Sequence, residues 1–256
     1  MIGSAEYRRR VRPLFPVAFE LFCAVDEGTV ADVEARLQAG DNPNALAING
    51  QSPIMLAVRS RLALPKAELL LSFGATLDVW DKHGHHAIHR VTGSSYDRHL
   101  ESLAWILRHG VDPNVVTRPA RESFHFRIGW TPLHIAAYQG FYDATELLLQ
   151  HHASVHITDE HGATALHVSV SRTRAYKKLA RALLDSGADP NAQDAAGNTP
   201  LHLLAKGHSR YRKTVMELLL SRKARLDLGN QKGHRPGDLV PEGFPATETI
   251  RKLFGY

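Results

Sequence analysis

Residues Gly129 to His156 read GWTPLHIAAYQGFYDATELLLQHHASVH. A turn closes at Gly129, and Thr131 and Pro132 open a helix. Proline suits a first helical turn, where its missing N–H has no intrahelical partner anyway. A threonine hydroxyl just before it can accept a bond from an orphan backbone N–H. Leu133, Ile135, Ala136 and Ala137 make the first helix apolar, with small residues for close approach, and Gly140 ends it. Ala144, Leu147, Leu148 and Leu149 then recur at helical spacing. Two short helices cannot bury their apolar faces alone, so neighbours of the same kind have to cover them.

Such neighbours lie on both sides. Thr131-Pro-Leu-His134 returns as Thr199-Pro-Leu-His202 and Thr164-Ala-Leu-His167, and more loosely as Ser52-Pro-Ile-Met55 and His86-Ala-Ile-His89. A glycine two residues before each of these starts falls at Gly50, Gly84, Gly129, Gly162 and Gly197, and again at Gly233, at spacings of 34, 45, 33, 35 and 36. The unit ends echo one another as well. Gly40-Asp-Asn-Pro-Asn44, Gly110-Val-Asp-Pro-Asn114 and Gly187-Ala-Asp-Pro-Asn191 share one pattern, with degraded copies ending at Asp78, His156 and Asp227.

A period near 33 with Thr-Pro-Leu-His resembles the ankyrin repeat family, over almost the whole chain. The resemblance implies an all-α, ankyrin-repeat solenoid of about seven helix-turn-helix repeats with β-hairpin-like turns between them. The expected organisation is a basic N-terminal arm over 1–15 and an array over 16–256. Its units are 16–48, 49–80, 81–116, an insertion over 117–127, then 128–158, 159–193, 194–229 and a C-terminal cap over 230–256. Arg8, Arg9, Arg10 and Arg12 in the arm read either as a solvated terminus or as an anion-binding or nuclear-address run. Unit 81–116 departs furthest from the pattern. His86 and Ala87 replace Thr-Pro, and Val91 and Thr92 stand where small alanines are usual, so weaker local stability is expected there. The final helix is expected around Ile250, Leu253 and Phe254.

Composition narrows the function. The net charge of +5 favours acidic partners mildly. No apolar run is long enough to span a bilayer. Cys23 is the single cysteine, so no internal disulfide is possible, and a reducing compartment is expected: the cytoplasm, with the nucleus or delivery to a host cell left open. Cys23 falls within the apolar pattern of the first helix and reads as a small core residue. There is no G-x-S-x-G, Gly-rich phosphate loop or H-E-x-x-H, so no enzyme is expected. Paired acids such as Asp159 and Glu160 are expected at solvated turn tips. Sixteen histidines suggest metal binding, above all His83, His85 and His86, and His151 and His152. Most fall on turns and helix ends with no cysteine nearby, which suits zinc poorly, and no metal or other cofactor is expected. In the family, the histidine of each Thr-Pro-Leu-His bonds backbone near the adjacent turn. That role is expected for His89, His134, His167 and His202.

Binding is the function the resemblance implies, through the concave face made by turn tips and exposed inner-helix ends. By phase, the partner-facing residues are Arg59 in the second unit and Lys82, His83 and His85 in the third. Arg121, Phe124, Phe126 and Arg127 follow in the insertion, then Trp130, Tyr138 and Gln139 in the fourth unit, His161 and Arg172 in the fifth and Lys206 in the sixth. Trp, Tyr and Arg dominate interface energetics, so Trp130, Tyr138 and the insertion are the expected centre. The alternative is a solvated basic face with Trp130 packed against the insertion. The expected partner is another protein with an acidic or mixed surface. Nucleic acid or another anionic ligand is the rival, disfavoured because aromatics do not interleave with the basic residues along a groove. No membrane contact is expected.

Overall fold

The computed structural model describes residues 19–59, 63–94, 99–119, 128–171, 177–207 and 212–241. The chain divides into two compact units, Met1–Phe126 and Arg127–Tyr256. In the first are α1 (Phe19–Asp26), α2 (Val30–Gln38), α3 (Pro53–Ala57), α4 (Leu64–Ser72), α5 (Ala87–Thr92) and α6 (His99–Arg108). In the second are α7 (Pro132–Gln139), α8 (Tyr142–Gln150), α9 (Ala165–Ser171), α10 (Lys177–Asp185), α11 (Pro200–Lys206) and α12 (Arg212–Ser221), then a 3₁₀ turn, Pro236–Leu239. No strands form among the described residues, but isolated antiparallel bridges at Trp80–His86 and Thr158–Thr164 make the turns hairpin-like.

The helices pack in rows. In the second unit α7, α9, α11 and the 3₁₀ turn contact one another in succession, and α8, α10 and α12 form a parallel outer row. In the first unit α1 packs on α3, and α2 on α4. Each inner helix supplies residues that lie at or near zero exposure, such as Leu21, Ile54, Ile88, Leu133, Leu166 and Leu201. Cys23 is buried among them, as its position in the apolar pattern implied. Helices of five to ten residues are too short to persist alone, so this lateral burial holds them.

The sequence signals act as expected. Thr131 caps α7, with its hydroxyl accepting from His134 N, and Pro132 takes the first turn. Pro65 falls in the first turn of α4. In the degenerate last copy, Asp238 replaces the histidine, and its carboxylate accepts Arg235 N–H at 2.8 Å. A carboxylate there does the capping half of the imidazole's work. The expected helix around Ile250 to Phe254, the arm and its arginines lie outside the described residues.

Two buried cations help to finish helix ends. Lys66 Nζ donates to the carbonyls of Val25 (2.7 Å) and Ala24 (3.3 Å) at the end of α1. Arg212 Nη1 donates to Ala205 and Gly207 at the end of α11. Both cations complement the negative end of a helix dipole.

Candidate functional site

The edge of each unit is built from repeated turns. In each, an acid or amide side chain folds the backbone over itself. Asp81 Oδ1 accepts the N–H groups of His83 (2.8 Å) and His85 (3.0 Å). Asp159 Oδ1 accepts His161 and Ala163 (2.9 Å each), and Asp194 Oδ1 accepts Ala196 (2.9 Å) and Asn198 (2.8 Å). Adjacent turns are then stitched by one amide each: Lys82 N to Asn49 O (2.9 Å), Arg118 N to Gly84 O (2.9 Å), Ala195 N to His161 O (2.7 Å) and Gln231 N to Ala196 O (3.0 Å). The stitch explains the glycines. At Gly84, with φ of +73°, an added Cβ would stand 2.1 Å from Arg118 O.

Four imidazoles each tie an inner helix to the turn that follows one repeat later. His134 Nδ1 accepts from Thr131 N–H at 3.2 Å. A backbone N–H can only donate, so the ring proton sits on Nε2, which donates to Ala163 C=O at 3.0 Å. His167 repeats this with Thr164 and Asn198, His202 with Thr199 and His234, and His89 with His86 and Val115. The role expected for these histidines is the one observed. Burial holds His134, His167 and His202 below the ordinary imidazole pKa, and their backbone bonds oppose that only in part. His86 is pushed down to about 4 by burial, with Asp78 opposing and Arg118 assisting. Asp81 sits well below the usual carboxylate range. Burial opposes this, but hydrogen bonds from His85 and the Arg90 guanidinium prevail.

The expected contact residues separate on this frame. In the first unit Arg59 and Lys82 are exposed and His83 is half-buried. His85 is not available: it is 1% exposed, turned inward beside Asp81 with Nδ1 3.7 Å from the carboxylate. In the second unit Tyr138 and Gln139 are half-buried at the end of α7, and His161 and Lys206 are exposed. Arg121, Phe124, Phe126, Arg127 and Arg172 lie outside the described residues.

Trp130 departs from the expectation of an exposed anchor. It is 3% exposed, and its Nε1 donates to Asp159 Oδ2 at 3.0 Å. A buried indole needs a partner for its N–H, and the next turn supplies one. Asp159 is buried for the same reason rather than solvated at a tip. The Trp130 ring stacks on His134 (6.3 Å between centroids) and lies against Tyr138 (5.0 Å, 59° between planes). It is a prop beneath Tyr138.

Sequence phase missed Trp80 and Arg118 as a pair. Arg118 Cζ lies 3.4 Å from the Trp80 ring centroid, and the edge of His86 meets the same indole at 4.7 Å. The signal was present only in alignment. Trp80 stands four residues before its turn glycine, where the turns of the second and fifth units, at Gly50 and Gly162, have Leu46 and Thr158.

The architecture defines a helical repeat protein that exposes its turns and inner-helix ends as well as its outer helices. Residues 94–194 match a family model for ankyrin repeats (3 copies), and 172–220 match another for ankyrin repeats (many copies). The mouse (Mus musculus) ankyrin repeat and SOCS box protein 16 is 32% identical over 177 residues, 66% of this chain and 36% of that protein. Human (Homo sapiens) SH3 and multiple ankyrin repeat domains protein 2 is 30% identical over 205 residues, 79% of this chain and 10% of that protein. The ankyrin repeat domain of Bcl-3, described as a unique member of the IkappaB protein family, superposes with a TM-score of 0.71. It is 23% identical, with 93% of this chain and 98% of that one covered. The chain belongs to the ankyrin repeat family. It spans about a third or less of the length of these two relatives. Ankyrin repeats generally mediate protein–protein interaction and are generally not enzymes. No helix among the described residues is long and apolar enough to cross a membrane.

Proposed function

We propose that this protein is a non-enzymatic recognition scaffold that binds a partner protein through its turns and inner-helix ends. The carrying observation is the row α7, α9, α11, whose C-terminal ends bring Tyr138 with Gln139, Ser171 and Lys206 along one side of the unit. Tyr138 is held there by the buried Trp130, so its ring loses little conformational freedom when a partner covers it. On the other unit, Arg59 and Lys82 are exposed and His83 is half-buried beside Lys82, which adds further basic groups. The predominance of cations among these residues, with a net charge of +5, favours a partner with an acidic or mixed surface.

The test is capture of partners by the full chain from its native source, followed by Tyr138→Ala and Lys206→Glu. Both variants should fold, and each should weaken capture about 10-fold, the loss expected for an interface anchor of ~1.4 kcal/mol. Unchanged affinity in both variants would move the contact surface elsewhere. Steep, linear loss of log affinity with log salt on arbitrary DNA would instead favour nucleic acid.

A further inference from the structure

We infer that Arg118, laid on the Trp80 ring, is an anchor for a carboxylate side chain in an acidic segment of the partner protein. The inference rests on the scaffold reading above and adds a residue and a chemistry to it.

Four observations meet at this point. Arg118 is exposed, yet its guanidinium carbon is 3.4 Å from the indole centroid. At that separation an upright guanidinium would push a nitrogen into the ring, so its plane must lie along the indole. The flat face is then occupied, and the N–H edge remains for an acceptor. The backbone of Arg118 is fixed too, by its bond to Gly84 O, so the side chain starts from a defined place.

Its charge is also unspent. Arg36, Arg90, Arg222, Arg225 and Arg235 each pair with an aspartate. Among the described residues no carboxylate pairs with Arg118. The exposed Asp78 close by faces His86 Nε2 at 3.7 Å instead. Lys82 and His83 belong to the turn that Arg118 is stitched to, so three basic groups gather on one short edge. A planar fork with a pre-set orientation matches the two oxygens of a carboxylate. The entropy of ordering the side chain has been met before binding.

The experiment uses the full chain, labelled with ¹⁵N, and a capped hexaglutamate peptide at low ionic strength, where exposed charges are least screened. Capped hexalysine and inorganic phosphate are the control arms. Hexaglutamate should shift the Arg118 Nε–H and the Trp80 indole N–H, which has no hydrogen-bond partner among the described residues. Arg118→Ala should weaken the peptide about 10-fold. Arg118→Lys, which keeps the charge and loses the fork, should weaken it about 3-fold. Peptide affinity within twofold of wild type in Arg118→Ala overturns the inference. Inorganic phosphate acting at Arg118 at lower concentration than hexaglutamate also overturns it, in favour of a phosphate ligand. If Tyr138→Ala abolishes partner capture while Arg118→Ala binds both peptide and partner like wild type, the anchor falls and the scaffold reading stands.

Discussion

Replacing Trp130 with Phe keeps most of the ring and deletes one hydrogen bond. The indole N–H serves Asp159 Oδ2, while Oδ1 of the same carboxylate holds the His161 and Ala163 amides. Ala163 in turn accepts from His134. The lost bond therefore sits at the head of a chain that fixes the turn between two repeats. A hydrogen bond to a buried charged group is worth about 1.5–3 kcal/mol, because the carboxylate stays buried when its donor goes. Trp130→Phe should cost that much, and Trp130→Ala, which also leaves a cavity, about 3–5 kcal/mol. Urea unfolding followed by far-UV circular dichroism measures the loss. Hydrogen exchange at the His161 and Ala163 amides shows whether it originates in the turn. Stability within about 0.5 kcal/mol of wild type, with unchanged protection at both amides, would refute the prop. The exposed anchor expected from sequence would be restored if partner affinity fell in the same variant.

Acid should loosen the array. Imidazole pKa values held below the unfolded value favour folding above about pH 6.5, and that contribution is lost as pH falls. For His86, a folded value of about 4 corresponds to about 3 kcal/mol lost between pH 6.5 and 4, at ~1.4 kcal/mol per pH unit. His86→Thr should flatten that part of a stability–pH curve measured by urea unfolding, and an unaltered slope would count against it. Asn191 clips the next unit through Nδ2 to Lys223 O (3.0 Å) and Oδ1 from Arg225 N (2.7 Å). Asn191→Ala should cost about 1–2 kcal/mol in the same assay. Gly84→Ala should cost at least about 1–2 kcal/mol from its positive φ and the Arg118 carbonyl in its way, and should quench the Trp80 indole shift caused by hexaglutamate.

The backbone plan was legible because its signals are local. A Thr-Pro start, a positive-φ glycine and an imidazole three residues into a helix each act within a few residues, and their period gave the rows. Side-chain burial was less legible where it depended on a partner a whole repeat away. Phase placed Trp130 and His85 at turns and therefore in water. Asp159, 29 residues beyond Trp130, and Asp81, folded under its own turn, draw them inward instead. Arg118 was assigned to the excess length around the insertion. Only the stitch to Gly84 shows that it occupies a regular turn position, the counterpart of Lys82 one repeat earlier.

The imidazole ties, and those of Asn44 and Asn191, have a direction. His89, His134, His167 and His202 each donate to a carbonyl further along the chain, and Asn44 and Asn191 reach forward to Gly74 and Thr76, and to Lys223 and Arg225. A repeat emerging from the ribosome therefore holds its own imidazole donor unsatisfied until its successor is made. Shortening the protein from its C-terminal side orphans a buried donor at every step, whereas shortening from the other side leaves these particular groups with their acceptors. For this one class of bond, each segment is completed by the one synthesised after it.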